Sequence, residues 1–257
     1  MHATTADGAD LYYETAGEGE TVALVGEAGY GAWQWGWQTD ALTGPYGTLV
    51  WDLRGTGRSD TPPGPYDVDR MTADLEAVLA DSGTDRTHLV GAGLGGMIAL
   101  RYTRRYGRAR SLTLFGTVAD GTLLNESALR ALHAPPDDSA ALRASLEGAF
   151  TAGYRHEQSG VIDQICDWRA EEDADTEGFE AQLAAVCGFE AGPLYEMTLP
   201  TLVCHGVDDP VVPVAAGRRL ASNLPRGRFE PVEGRRLHFI EHSRAVTDRL
   251  VAFLDRA

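Results

Sequence analysis

The 257-residue chain contains no lysine; all 22 of its basic residues are arginine, set against 38 aspartates and glutamates for a formal net charge of −16. A surface this acidic repels another polyanion unless a basic face compensates, so no nucleic-acid partner is expected. Arginine without lysine, beside abundant Asp, Glu, Ala and Gly, resembles the proteins of salt-in extreme halophiles, whose charge is screened by concentrated salt. A GC-rich genome imposes much the same bias. On either account the acid excess reflects the source and does not point to a cationic substrate. Cysteine is scarce: Cys166, Cys187 and Cys204 are too few and too scattered for a disulfide framework or a Cys-rich zinc site, and read as reduced, mostly buried thiols. No stretch approaches the roughly 18–20 consecutive apolar residues needed to cross a bilayer. The opening MHATTADGAD has neither a basic n-region nor an apolar h-region, so no Sec-type signal is expected. These absences point to a cytoplasmic chain with no membrane partner. Internal repeats and low-complexity linkers are also missing.

What is present fits one sizeable α/β domain, with room for an insertion. Short apolar runs alternate with helical patterns, which predicts a mostly parallel sheet covered on both faces. Strands are predicted near 10–13, 21–25, 48–53, 88–91, 111–115, 201–205 and 228–231. Asp67 can cap a helix with the apolar face Val68, Met71, Leu75, Val78 and Leu79, and Gly83 stops it. A helix over 214–223 is bounded by Pro213 and Pro225. Ser243 can cap a last helix that buries Val246, Leu250, Phe253 and Leu254. Residues 121–197 break the alternation; they are helix-rich, hold the acidic run EEDADTE (171–177) and offer no strand. The expected organisation is therefore a core of residues 1–120 and 198–257 with a helical cap, or lid, of 121–197. Such a cap would cover the C-terminal edge of the strands, where open α/β sheets bind ligands.

Five motifs then fall in order: GAWQWGWQ (31–38), WDLRGTGRSD (51–60), HLVGAGLGGMIAL (88–100), LVCHGVDDPVVP (202–213) and VEGRRLHFIEH (232–242). Together they resemble the α/β-hydrolase superfamily over nearly the whole chain. The third is similar to the nucleophile elbow, with Gly91, Gly95 and Gly96 in place. The fourth and fifth resemble the loops that deliver the acid and the histidine of the catalytic triad. Carried over position by position, the resemblance places the acid on Asp209, the histidine on His238 and the nucleophile on Gly93. Glycine offers no hydroxyl, thiol or carboxylate, so neither an acyl-enzyme nor an alkyl-enzyme can form at that position. A second departure lies in ALVGEAGYGAWQW (23–35), where the family usually has His-Gly leading into the oxyanion loop. Glu27 falls near the place of a developing oxyanion, which an ionised carboxylate would oppose. The backbone N–H groups of Ala28 (or Glu27) and Leu94 remain as oxyanion donors.

Each singled-out residue has a plainer reading. Asp209 and His238 form either a working acid–base pair or a relic that packs well. Glu27 is a general base or cation ligand, or one more solvated acid; enclosure would raise its pKa. HFIEH (238–242) matches a zinc pattern, but that motif needs a helix interior, so Glu241 and His242 are expected to serve structure. Asp120 reads as an ordinary loop aspartate and Ser59 as a turn serine bonding to backbone. Among Trp33, Trp35 and Trp37, Trp33 is taken as pocket lining and at least one other as packing. His133 and His156, in the cap, are within reach of a pocket or lie on the surface. No metal or organic cofactor is expected, and the partner is a small-molecule ligand or substrate.

Three functions follow. The first is a hydrolase-like or other non-covalent reaction on a small apolar ester, lactone or carbonyl compound, with His238 as base and Asp209 orienting it. The second is a pseudo-hydrolase that binds a small ligand or a regulatory partner. The third, a serine hydrolase whose elbow serine was exchanged for glycine, leaves Glu27 unexplained. The fold alone does not choose among them.

Overall fold

The computed structural model describes residues 1–257. Eight strands form one sheet: β1 (His2–Thr4), β2 (Asp10–Ala16), β3 (Thr21–Val25), β4 (Gly47–Trp51), β5 (Thr87–Ala92), β6 (Ala109–Phe115), β7 (Thr201–Gly206) and β8 (Gly227–Val232). Their order across the sheet is β1-β2-β4-β3-β5-β6-β7-β8. β2 runs antiparallel to β1 and β4, and every other pairing is parallel. The central strands β5 (THLVGA) and β7 (TLVCHG) are buried at every residue, which is why they read as continuous apolar runs without alternation. All seven expected strands form, with no end displaced by more than three residues. The strand that periodicity missed, β1, is a three-residue edge piece too short to show a period.

On the faces lie α1 (Gly36–Leu42), α2 (Val68–Asp81) and α3 (Leu94–Arg105). Asp67 caps α2 by accepting the Arg70 N–H at 2.7 Å. Between β6 and β7 come five helices, α4 (Glu126–Arg130), α5 (Ser139–Ala149), α6 (Ala152–Glu157), α7 (Ser159–Glu172) and α8 (Thr176–Cys187). The chain closes with α9 (Val214–Asn223), the short α10 (His238–Glu241) and α11 (Ser243–Leu254). Ser243 is the first residue of α11 and its side chain makes no cap, because α10 runs almost directly into α11 through His242. No helix is long and apolar enough to cross a membrane.

Parallel pairing brings the C-terminal ends of β3, β5, β6 and β7 to one edge, and the inserted helices are tied down over the β3 loop. Gln182 of α8 accepts the Gly29 N–H at 2.7 Å and donates to the Arg54 carbonyl at 2.8 Å. One acid of the acidic run turns inward here: Asp173 accepts from the Gly31 N–H (3.1 Å), the Trp33 indole (2.8 Å) and Arg169 (2.6 Å). Arg169 is fully buried and also donates to Ser145 and to the Leu132 and Leu142 carbonyls. Asp175 caps α8 by accepting the Gly178 N–H.

Candidate functional site

The turn from β5 into α3 has the shape of a nucleophile elbow. Gly93 sits at φ +47°, ψ −107°, a left-handed conformation that costs most side chains ~1–3 kcal/mol and glycine little. Its N–H donates to the Phe115 carbonyl at 2.9 Å and its carbonyl accepts from the Thr117 hydroxyl at 2.7 Å. At Gly95 a Cβ would collide with the Val25 carbonyl, so only glycine lets α3 lie this close to β3.

The space beside Gly93 is taken by Glu27. A Cβ placed on Gly93 would fall on the Glu27 carboxyl group. Glu27 Oε1 accepts the Ala28 N–H at 2.8 Å and the Leu94 N–H at 3.2 Å, the pair of backbone donors anticipated for an oxyanion. Glu27 Oε2 accepts the Arg236 Nε–H at 2.7 Å and a second bond from Arg236 Nη2. Gln34 fixes the backbone by accepting the Glu27 N–H at 3.1 Å. At 2 % exposure Glu27 is no solvated acid, which corrects that reading.

Arg236 links Glu27 to the triad acid. Its Nη1 donates to Asp209 Oδ2 at 2.9 Å and to the Gly116 carbonyl. Asp209 Oδ1 is meanwhile held by the Val211 and Val212 N–H groups at 2.8 and 3.1 Å. Burial alone would lower the pKa of Arg236, but the Glu27 and Asp209 carboxylates outweigh it and hold the guanidinium above the ordinary arginine value. The centre is therefore a buried carboxylate–guanidinium–carboxylate chain with every oxygen bonded.

The expected Asp209–His238 pair is not formed. His238 makes one hydrogen-bond contact, from Nδ1 to the Arg235 carbonyl at 3.3 Å, and its Nε2 is buried without a partner. The ring stands edge-on to Phe115 and Phe239. Burial first, and then neighbouring His205, pushes its pKa down to about 3, with Asp209 opposing. The reason is local. The loop of bends and a turn over 233–237 carries Arg236 into the centre, whereas His238 opens α10 and turns into the aromatic layer. Sequence reasoning missed Arg236 by anchoring on the histidine two residues later. The available signal was charge balance: two acids carried to one buried centre require a cation.

Trp33, expected as pocket lining, is buried and spends its indole on Asp173. Trp35 stacks on Phe239 at 5.1 Å and packs its segment against the core. Asp120 caps a short turn through Thr122, and Ser59 bonds to the Tyr12 and Asp52 backbone. Glu241 holds the N-terminus of α6 through the Thr151 N–H at 3.1 Å. His133 stacks on Phe179 at 4.1 Å beside Gly29, and burial pushes its pKa down to about 4. His156 lines a groove of about 540 Å³ among α5, α6 and α7.

A profile of the alpha/beta hydrolase family matches residues 23–249. Among curated relatives, a protein of Azorhizobium caulinodans assigned as the carbamate hydrolase RutD is 30% identical over 234 residues, covering 88% of this chain and 87% of its own length. The 3-oxoadipate enol-lactonase 2 of Acinetobacter baylyi is 26% identical over 266 residues, covering 98% and 96%. The crystal structure of the enol-lactonase from Burkholderia xenovorans LB400 superimposes with a TM-score of 0.88 at 25% identity, over 99% of this chain and 100% of that one. The relatives carry hydrolase names, and they support a hydrolase-like function at the level of the family.

Proposed function

We propose that this chain, which belongs to the alpha/beta hydrolase family, is a non-hydrolytic member whose reaction centre has become a structural ion network. One observation carries the reading: Glu27 Oε1 holds both the Ala28 and the Leu94 N–H groups. Hydrolysis through a tetrahedral intermediate needs those donors free for the developing oxyanion. Two further departures support it. No side chain at Gly93 attacks, and the side chain hydrogen-bonded to Asp209 is a guanidinium, which cannot accept a proton at neutral pH, while the His205 imidazole 3.6 Å away spends its Nε2 on the Val212 carbonyl. Charge-assisted bonds of this kind are short and strong, and breaking one partner of a buried pair leaves an uncompensated charge. Residues 121–197 act in this reading as a fixed cap, and the retained function is binding of a small molecule or a regulatory partner.

The test is turnover by the purified protein with an aryl ester, a lactone and a carbamate, classes suggested by the relatives. Rates no greater than buffer are expected for the wild type and for Gly93→Ser, whose new side chain would collide with Glu27. Saturable turnover by the wild type above the buffer rate would overturn the proposal. A second reading, base catalysis by His238, is favoured by its unpartnered Nε2. A base with a pKa of about 3 and no orienting acid is poorly matched to neutral pH. Turnover that is lost specifically in His238→Leu would establish it instead.

A further inference from the structure

The four groups around Glu27 constitute more than a plug. Two backbone N–H groups meet one carboxylate oxygen, and two N–H groups from one edge of Arg236 meet the other. All belong to residues that are nine-tenths buried or more: Ala28 is 3 %, Leu94 0 % and Arg236 4 % exposed. None of the four is supplied by Glu27 itself. Each has its own anchor: Arg236 is held by Asp209 and Gly116, Leu94 by the elbow turn, and Ala28 by the loop that Gln34 and Gln182 pin on either side. The donor set is thus fixed by the fold, and the Glu27 side chain reaches it by its own methylenes from the loop after β3.

We propose that this centre is a receptor for one small carboxylate, with Glu27 as its built-in occupant. The inference rests on the non-hydrolytic reading, because a working enzyme would use the same N–H groups transiently. Size follows from the tether. Truncating Glu27 at Cβ removes a methylene and a carboxylate, the volume of acetate; removing Cβ as well leaves the volume of propionate. Charge and shape exclude the neutral isostere acetamide, whose NH₂ group would face a donor. In the wild type the carboxylate is carried by its own short side chain and is already oriented, so its effective concentration far exceeds about 100 mM of external acid, which does not displace it.

The experiment is thermal unfolding of the full chain in about 100 mM sodium acetate, propionate, butyrate or chloride, or in about 100 mM acetamide with the same concentration of sodium chloride. Glu27→Ala is expected to lose stability in chloride and to regain at least about 5 °C in Tm with acetate. Glu27→Gly should respond to propionate more than to acetate, and neither variant should respond to butyrate or acetamide. The wild type, whose cradle stays filled, should show no response specific to carboxylates. Equal shifts with chloride and acetate, or no shift above that of the wild type, overturn the proposal. If Glu27→Ala does not fold in chloride, refolding yield from urea in acetate against acetamide supplies the reading, and equal yields overturn it. These outcomes are independent of ester turnover by the wild type, so this inference and the non-hydrolytic reading fail separately.

Discussion

At the scale of single residues, Arg236 decides the character of the centre. It faces two carboxylates at once, Glu27 and Asp209, inside the protein. Arg236→Met leaves both acids buried without a cation, which should cost about 3–5 kcal/mol and lower Tm by about 10 °C in thermal unfolding. His238 makes the opposite prediction. Folded His238 takes up a proton only near pH 3, against 6.5 for the ordinary side chain. Between these values the unfolded state binds the extra proton, so the contribution of this residue is fully present above pH 6.5 and is lost as the pH falls. Replacing it by leucine should remove up to about 1.4 kcal/mol of pH dependence per unit between pH 6 and 4, as read by urea titrations of both proteins. A catalytic histidine would show instead as lost turnover. Gly93, Asp209 and Glu27 were all legible as members of one centre, because short motifs tie them to strand ends. The pairing among them was not legible, since it depends on which of two neighbouring side chains, Arg236 or His238, the loop turns inward.

At the scale of elements, strands and helix ends followed from apolar runs and caps, and they shifted by only a few residues. The role of the acidic run 171–177 did not follow. Charge in sequence reads as solvated surface, yet Asp173 is buried because Arg169, one helical turn earlier, neutralises it and two further core donors, the Gly31 N–H and the Trp33 indole, converge on it. This pair fastens α7 and α8 to the β3 loop. Asp173→Asn exchanges a charged acceptor for a neutral amide and strands the Arg169 guanidinium. Faster amide hydrogen exchange is expected in 159–187, while β5 and β7 keep their protection. Uniform loss of protection across the sheet would show that the inserted helices and the core unfold as one unit.

At the scale of the whole molecule, a net charge of −16 spreads over a surface where pairs such as Arg58–Glu14 and Arg105–Asp69 are largely exposed. Such pairs contribute little each, whereas the repulsion among unpaired acids is long-range and screened by salt. Raising NaCl from about 10 mM to about 500 mM should therefore raise Tm by several degrees; a flat or falling Tm would show that local pairs outweigh the net field. The centre lies beyond that screening, because Glu27, Asp209 and Arg236 are buried and the two carboxylates share one guanidinium. Its filled cradle has a final consequence. Ester hydrolysis ends with an acid lying against the groups that had held the oxyanion. Here that acid was built in at translation as Glu27 and has no way to diffuse off, so the molecule permanently resembles an enzyme at the close of its cycle. Reagents that report serine hydrolases by attaching a phosphonate or boronate at the elbow will find neither an atom to attach to nor an empty hole, and will pass this protein by.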